Sequence, residues 1–269
     1  MEKTSVSVLH VRDSSAIWVG ADVTRLPEVL RSLSERARNF PGITVVNDGI
    51  WQASASAAPE IESRWNASPE ARHVAERFDG EYGGLKITFL GGSFEGEVVL
   101  GVTGPEAVWR SQQGVEMFKC ASHPTLQCAI VSAVDRRLGC SWSREFSPLF
   151  DSVALLIEDA AMWGSVQGWS YAAAGAFPVE IALEEFPDLI RDDSASGGLL
   201  SWWVSPEVVT AAHQYLSPGR STHLQVAVLV KTSEAKELVR RALRKNGISE
   251  LLYAAGEMHG IVPKLVSEV

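Results

Sequence analysis

Residues 224–247 read LQVAVLVKTSEAKELVRRALRKNG, and two hydrophobic periods follow one another within them. From Leu224 to Val230 branched apolar residues stand at every second position, which is typical of a strand inside a sheet. Thr232 can then cap a helix, and Asn246-Gly247 can end it. Between these signals, apolar residues recur at helical spacing at Ala235, Leu238, Val239, Ala242 and Leu243. We therefore predict a buried strand followed by an amphipathic helix.

The rest of the chain mixes strand and helix signals. Period-two patterns predict hairpins over residues 5–21 and 84–102. A Ser-Pro pair combines a capping hydroxyl with a proline that the first helical turn tolerates, so such pairs predict helix starts at Ser68, Ser147 and Ser205. A further helix is expected between Thr24 and Phe40, and a strand is expected within residues 126–134. These patterns predict an α+β fold with a mixed, mainly antiparallel sheet packed by amphipathic helices.

Length and composition are those of a globular protein. The chain has 269 residues, of which 46% are hydrophobic and 21% are charged, enough for a sizeable core. No proline-rich or serine-rich linker and no low-complexity tract divides it. We expect one α+β domain over residues 1–269, and residues 140–147 are where a subdivision would fall.

The net charge of the chain limits the kinds of partner that it is expected to bind. A formal net charge of −9 argues against direct binding to nucleic acid or to an anionic membrane and favours a basic protein partner. Neither a signal peptide nor a transmembrane span is recognisable, so we expect a cytoplasmic protein. The three cysteines cannot all pair with each other, and reduced thiols suit this expectation.

Cys120, His123, Cys128 and Cys140 are residues of types that bind zinc. Their spacing lacks a paired Cys-x2-Cys knuckle, and Cys128 lies in an apolar run, where a free cysteine usually acts as a small buried hydrophobe. No glycine-rich nucleotide loop, phosphate-binding loop or nucleophile elbow is present. We therefore expect no metal, no cofactor and no catalytic residues, and these four residues remain the one weak alternative.

Acidic residues and tryptophans cluster in the second half of the chain. Such clusters are usually a solvated face and core packing, but carboxylates beside aromatic anchors also typify a protein interface. On the interface hypothesis the partner-binding residues are Glu184, Glu185, Asp188, Asp192, Asp193, Trp202 and Trp203.

Several short segments resemble the immunity protein 52 family in order and spacing. They are Trp18-Val19-Gly20-Ala21, Gly84-Leu85, Phe89-Leu90-Gly91-Gly92, Gly198-Leu199-Leu200-Ser201-Trp202-Trp203 and Leu229-Val230-Lys231-Thr232. Members of that family are cytoplasmic antidotes encoded with polymorphic toxins, including some delivered by type VI secretion systems.

The resemblance implies a non-enzymatic α+β protein that binds one cognate toxin, often a nuclease, and neutralises it. From the acidic charge of the chain we expect it to do so by covering the basic active-site surface of the toxin. Two other classes of function stay open. One is an enzyme of unrecognised family, which could be metal-dependent, and the other is a scaffolding subunit of a cytoplasmic assembly.

Overall fold

The computed structural model describes residues 32–45, 68–92, 95–101, 108–122, 129–142, 145–215 and 223–248. The predicted hairpin over residues 5–21 and the start of the helix expected at Thr24 lie outside these residues. So do His123 and Cys128 of the weak zinc alternative.

Helices are distributed along the whole described part of the chain. Their bounds are α1 Glu35–Arg38, α2 Pro69–Tyr82, α3 Val153–Ser165, α4 Glu180–Glu185 and α5 Ser233–Lys245, with a 3-10 turn at Asp193–Ala195. No helix of the described residues is long and apolar enough to cross a membrane.

The first sheet, sheet A, contains eight strands in the order β1-β2-β3-β5-β6-β7-β8, with β4 paired to β5. Every pairing in it is antiparallel. The strands are β1 Ile43–Val45, β2 Leu85–Phe89, β3 Gly96–Leu100, β4 Val108–Arg110, β5 Glu116–Ser122, β6 Ala129–Ala133, β7 Leu138–Trp142 and β8 Glu145–Phe150.

The second sheet, sheet B, contains five strands in the order β10-β11-β12-β13-β9, also all antiparallel. They are β9 Ser170–Gly175, β10 Ile190–Arg191, β11 Leu200–Val204, β12 Val208–Tyr215 and β13 His223–Val230. The α+β class with antiparallel pairing is thus confirmed, and the strands divide between two sheets. Of residues 140–147, the expected place for a subdivision, 140–142 belong to β7 and 145–147 to β8, and these two strands pair with each other.

Sheet B is covered on both faces, which explains why its central strands are so apolar. On β13, Val228 packs with Val239 and Leu243 of α5 in one core cluster. Its neighbour Leu229 packs in the other cluster, together with Leu156 and other residues of α3 and of sheet A. The predicted strand and helix over residues 224–247 are both confirmed, and Thr232 caps α5 by accepting a hydrogen bond from the Ala235 amide at 3.2 Å.

Sheet A meets α3 at the β2–β3 hairpin. The predicted hairpin is confirmed, and its turn lies against the indole of Trp163. Gly92 has a φ of +77°, and a Cβ atom at this position would lie 2.5 Å from Trp163 Nε1. Glycine is therefore required both by the backbone conformation and by the close approach.

Two of the three predicted Ser-Pro helix starts are wrong. Ser68 does cap α2, but Pro148 lies in β8, at the end of the strand order of sheet A, where a missing amide donor is tolerated. The helix that follows begins at Val153, with Ser152 as its cap. Ser205 instead closes a tight turn through both polar groups of the Val208 backbone, and the branched residues after it form β12 between β11 and β13.

We expect Val228→Ala to lower the free energy of unfolding by about 1–3 kcal/mol, because Val228 is fully buried on β13, between β12 and β9 of sheet B. The matched control is Val99→Ala on β3, where the valine is only partly buried. Urea denaturation of both variants measures the difference. Equal losses would show that residues 224–230 do not occupy the core in solution.

Candidate functional site

Four of the residues predicted to bind a partner are exposed, two at the end of helix α4 and two close in the chain to the edge strand β10 of sheet B. Glu184 and Glu185 end helix α4, Asp188 lies in the turn that follows, and Asp193 begins the 3-10 turn with 87% of its side chain exposed. These carboxylates are placed there because α4 turns its apolar residues inward and the chain then runs along the sheet edge as β10.

Sequence reasoning missed an exposed apolar side chain among these carboxylates. Ile190 of β10 is 74% exposed, and it and Leu90 are the exposed large hydrophobic residues of the described chain. Its strand pairs with β11 on one side and has no described strand on the other. The only sequence signal was one isoleucine within a charged stretch. We call Glu184, Glu185, Asp188, Ile190 and Asp193 the acidic edge.

Asp192 has a different environment from its neighbours in the chain. Its side chain accepts hydrogen bonds from Arg36 at 2.6 Å and from the Ser194 hydroxyl, and it caps the 3-10 turn through the Ser194 and Ala195 amides. Although its partial burial opposes the shift, these bonds hold the pKa of Asp192 below its usual value. Asp192 is therefore engaged within the protein, and its contact with a partner stays a prediction.

Trp202 is fully buried, so it does not present an exposed anchor, and this part of the interface hypothesis is corrected. Successive residues of a strand point to opposite faces, and both faces of β11 are covered. Trp202 packs edge-on against Trp163 of α3, with ring centroids 5.2 Å apart. Trp203 faces the other way and packs, partly buried, against the cluster formed with α4 and α5.

Two consecutive residues of α3, Glu158 and Asp159, are buried acids that sequence reasoning also missed. Glu158, 2% exposed, accepts hydrogen bonds from the Ser34 amide, from the Ser34 hydroxyl at 2.7 Å and from Arg36 at 3.2 Å. Because Arg36 also binds Asp192, its guanidinium ties α3 to the segment that leads from β10 into the 3-10 turn. The available signal was a Glu-Asp pair inside an otherwise apolar helix.

Asp159 is the second of these buried acids and is 5% exposed. Trp202 Nε1 donates a hydrogen bond to its Oδ1 atom at 3.0 Å, and the indole of Trp163 is a second donor. Burial raises the pKa of Asp159 to about 7, and the two indole hydrogen bonds only partly oppose this. Its position between α3 and β11 gives the protein a carboxyl group that changes charge near neutral pH.

His213 links the two sheets. Its Nε2 atom lies 2.7 Å from the Leu149 carbonyl oxygen, which can only accept, so the ring donates from Nε2. Burial lowers the pKa of His213 to about 4, against the opposing effects of the Leu149 hydrogen bond and the Asp151 charge. His213 is consequently neutral in the folded protein at physiological pH.

Cys120 and Cys140 are buried in the core against sheet A. Burial raises the pKa of the Cys120 thiol above its ordinary value, and its sulfur lies 3.8 Å from the Ile130 carbonyl oxygen. A neutral thiol is a poor metal ligand. Within the described ranges, no group of three or more histidine, cysteine or acidic residues could hold a metal ion. The expectation of no zinc remains a prediction.

Comparisons of the chain with protein-family models, with curated proteins and with solved structures find no match. The resemblance to the immunity protein 52 family therefore stands on the short segments that suggested it.

We expect Trp202→Ala to lower the free energy of unfolding by about 3–5 kcal/mol, because it empties a fully buried site and removes a donor from Asp159. The adjacent Trp203→Ala is the control, and its smaller loss should follow from its partial exposure. Chemical denaturation at pH 7 compares them. A Trp202→Ala variant as stable as the wild type would contradict the buried placement.

The pH dependence of stability should change in His213→Gln. Since the pKa of His213 falls from 6.5 to about 4 on folding, the unfolded chain binds the extra proton between these values. The wild type should therefore lose stability relative to the variant as pH falls from 6.5 to 4, by about 1 kcal/mol per pH unit, and should show no such loss above pH 6.5. Urea denaturation across this range tests the sign, and parallel curves would be contrary evidence.

Proposed function

We propose that this chain is a cytoplasmic immunity protein that binds and neutralises a cognate secreted toxin with a basic surface, such as a nuclease, through the acidic edge. The observation that carries this proposal is the exposed Ile190 at a sheet edge flanked by exposed carboxylates. The resemblance to immunity protein 52 supports the same function.

Charge supports a basic partner. Glu184, Glu185, Asp188 and Asp193 present carboxylates within ten residues of chain, and the described basic residue among them is Arg191. The guanidinium of Arg191 lies 3.5 Å from Asp193, in a pair too exposed and too long to neutralise the edge. In a chain of net charge −9, such a surface attracts a basic protein and speeds its association.

Ile190 supplies the apolar part of the surface. Binding energy at interfaces is concentrated in a few side chains that become fully desolvated, surrounded by a polar rim that excludes water. Ile190 is the apolar residue of the acidic edge, and the carboxylates on either side of it in the chain would form such a rim. Ile190 therefore replaces Trp202 as the proposed apolar anchor, because Trp202 is buried in the core.

The edge is also held in place before a partner arrives. The Asp192 amide donates to the Trp202 carbonyl at 2.8 Å, and the Asp192 side chain is bound by Arg36. A surface ordered in advance loses less conformational entropy on binding. Although β10 is short, the bonds of Asp192 fix its position in advance, and β10 is therefore suited to tight association.

Binding kinetics should separate the two parts of the surface. We expect Glu184→Lys with Asp188→Lys to slow association about tenfold at low salt and much less at high salt, because steering by exposed charges is screened. Ile190→Ala should instead speed dissociation, by a factor equivalent to about 1–2 kcal/mol. Surface plasmon resonance with the toxin encoded by the neighbouring gene measures both rates.

The matched control is Glu70→Lys with Glu76→Lys, which makes the same change of charge on exposed positions of α2, beside sheet A. If both double variants slow association equally, net charge rather than the acidic edge is responsible. If the wild-type chain neither binds that toxin nor protects cells that express it, the immunity function is refuted.

A further inference from the structure

Asp159 is buried without a cation. Its hydrogen-bond donors are the indole N–H groups of Trp202 and Trp163, which are neutral. Within the described part of the chain, no lysine or arginine forms an ion pair with it. Two neutral donors replace only part of the hydration that an ionised carboxylate loses on burial, so the geometry favours the neutral acid.

The neighbouring Glu158 is bound by a different set of donors. Glu158 already binds Arg36 and both polar groups of Ser34. The remaining hydrogen-bonding contact of Arg36 with an acid goes to Asp192. Arg36 is thus engaged by two other carboxylates, and among the described residues no cation pairs with Asp159, so its ionised form would be buried without compensation.

We propose that the junction between α3 and β11 is a pH-sensitive switch, in which Asp159 is the neutral acid when the junction is closed and its loss of a proton to solvent loosens β11 from α3. No group other than Asp159 changes its covalent state, and the proton is simply exchanged with water. The switch does not depend on the identity of any partner.

The placement of the other ionisable groups supports this assignment. The elements packed against α3 are α1, β2, β8, β9, β11 and the 3-10 turn. Their charged or titratable residues, with those that adjoin them in the chain, are Glu35, Arg36, Arg38, Lys86, Glu145, Asp151, Tyr171, Asp192 and Asp193. Burial raises the pKa of Tyr171 to about 12, and the pKa of Asp192 is lowered, so neither changes charge near pH 7.

The direction of the pH dependence follows from the change in proton affinity. The pKa of Asp159 is 3.8 in its ordinary state and about 7 in the folded protein. Between these values the folded protein holds a proton that the unfolded chain has lost. The contribution of this group to stability is therefore greatest below pH 4, declines as pH rises to 7 and is constant above that.

The test compares the wild type with Asp159→Asn, which keeps the shape of the side chain and removes its titration. In the wild type, the indole ¹⁵N–¹H resonance of Trp202 should shift with pH with a midpoint near 7, and the shift should be absent in Asp159→Asn. The ratio of the two unfolding equilibrium constants should also change by up to about tenfold per pH unit between pH 5 and 7. The control is Asp193→Asn, which removes an exposed carboxyl group. It should behave like the wild type both in the titration of the Trp202 resonance and in the pH dependence of unfolding.

Amide hydrogen exchange in residues 200–204 tests whether the junction opens. After correction for the intrinsic rate, the opening equilibrium of the wild type should increase at least about fivefold from pH 6 to pH 8, and that of Asp159→Asn should stay constant. Equal increases in both proteins would overturn the switch, as would a Trp202 resonance that does not titrate between pH 5.5 and 8.5. If Asp159→Asn does not fold, the carboxyl ¹³C resonance of Asp159 in the wild type decides, and a midpoint below pH 5 would refute the proposal.

Discussion

The hydrogen bond from Trp202 to Asp159 joins sheet B to helix α3, and much of the described structure depends on that junction. The helix packs with residues of both sheets in one core cluster, and its two carboxyl groups lie where apolar side chains would otherwise be expected. Buried polar groups cost free energy unless they are hydrogen-bonded, so each must be supplied with donors from other elements. Ser34 and Arg36 supply Glu158, and Trp202 supplies Asp159, which places α1 and β11 relative to α3.

One of the side chains that bind a buried carboxyl group also fixes part of the surface. Arg36 binds Glu158 on its inner side and Asp192 on its outer side, so the chain that continues from β10 is held by the same guanidinium as the helix. The residues next to Asp192 in the chain have no such role and remain exposed. The part of the acidic edge beside β10, Ile190 and Asp193, is thus carried on a segment whose position is set by Arg36, although the exposed side chains themselves contribute little to stability.

The two buried titratable groups at the sheet junctions respond to acid in opposite ways. Between pH 4 and 6.5, folding binds a proton at Asp159 and excludes one at His213, because burial favours the neutral form of each group. Their effects on stability therefore cancel over much of this range. Within this range, which lies below the midpoint proposed for the junction of α3 and β11, the two groups together make stability less sensitive to pH than either group would alone.

The sequence by itself determined the class of the fold. The hydrophobic patterns of the β2–β3 hairpin, of β13 and of α5 each extend over consecutive residues, so they can be recognised without knowing any distant contact. Sequence reasoning failed where one local signal suits two structures: Ser205-Pro206 is as good a turn into a strand as a helix start, and only pairing of β12 with both neighbours makes it a strand. For the site, composition predicted a solvated acidic face, and the carboxylates of the acidic edge are exposed. Their part in binding stays a prediction. Composition could not separate Asp192 from Asp193, Trp202 from an exposed tryptophan, or Ile190 from a core residue. Those distinctions depend on partners that are distant in sequence, Arg36 for Asp192 and Asp159 for Trp202, and only the tertiary structure brings them together.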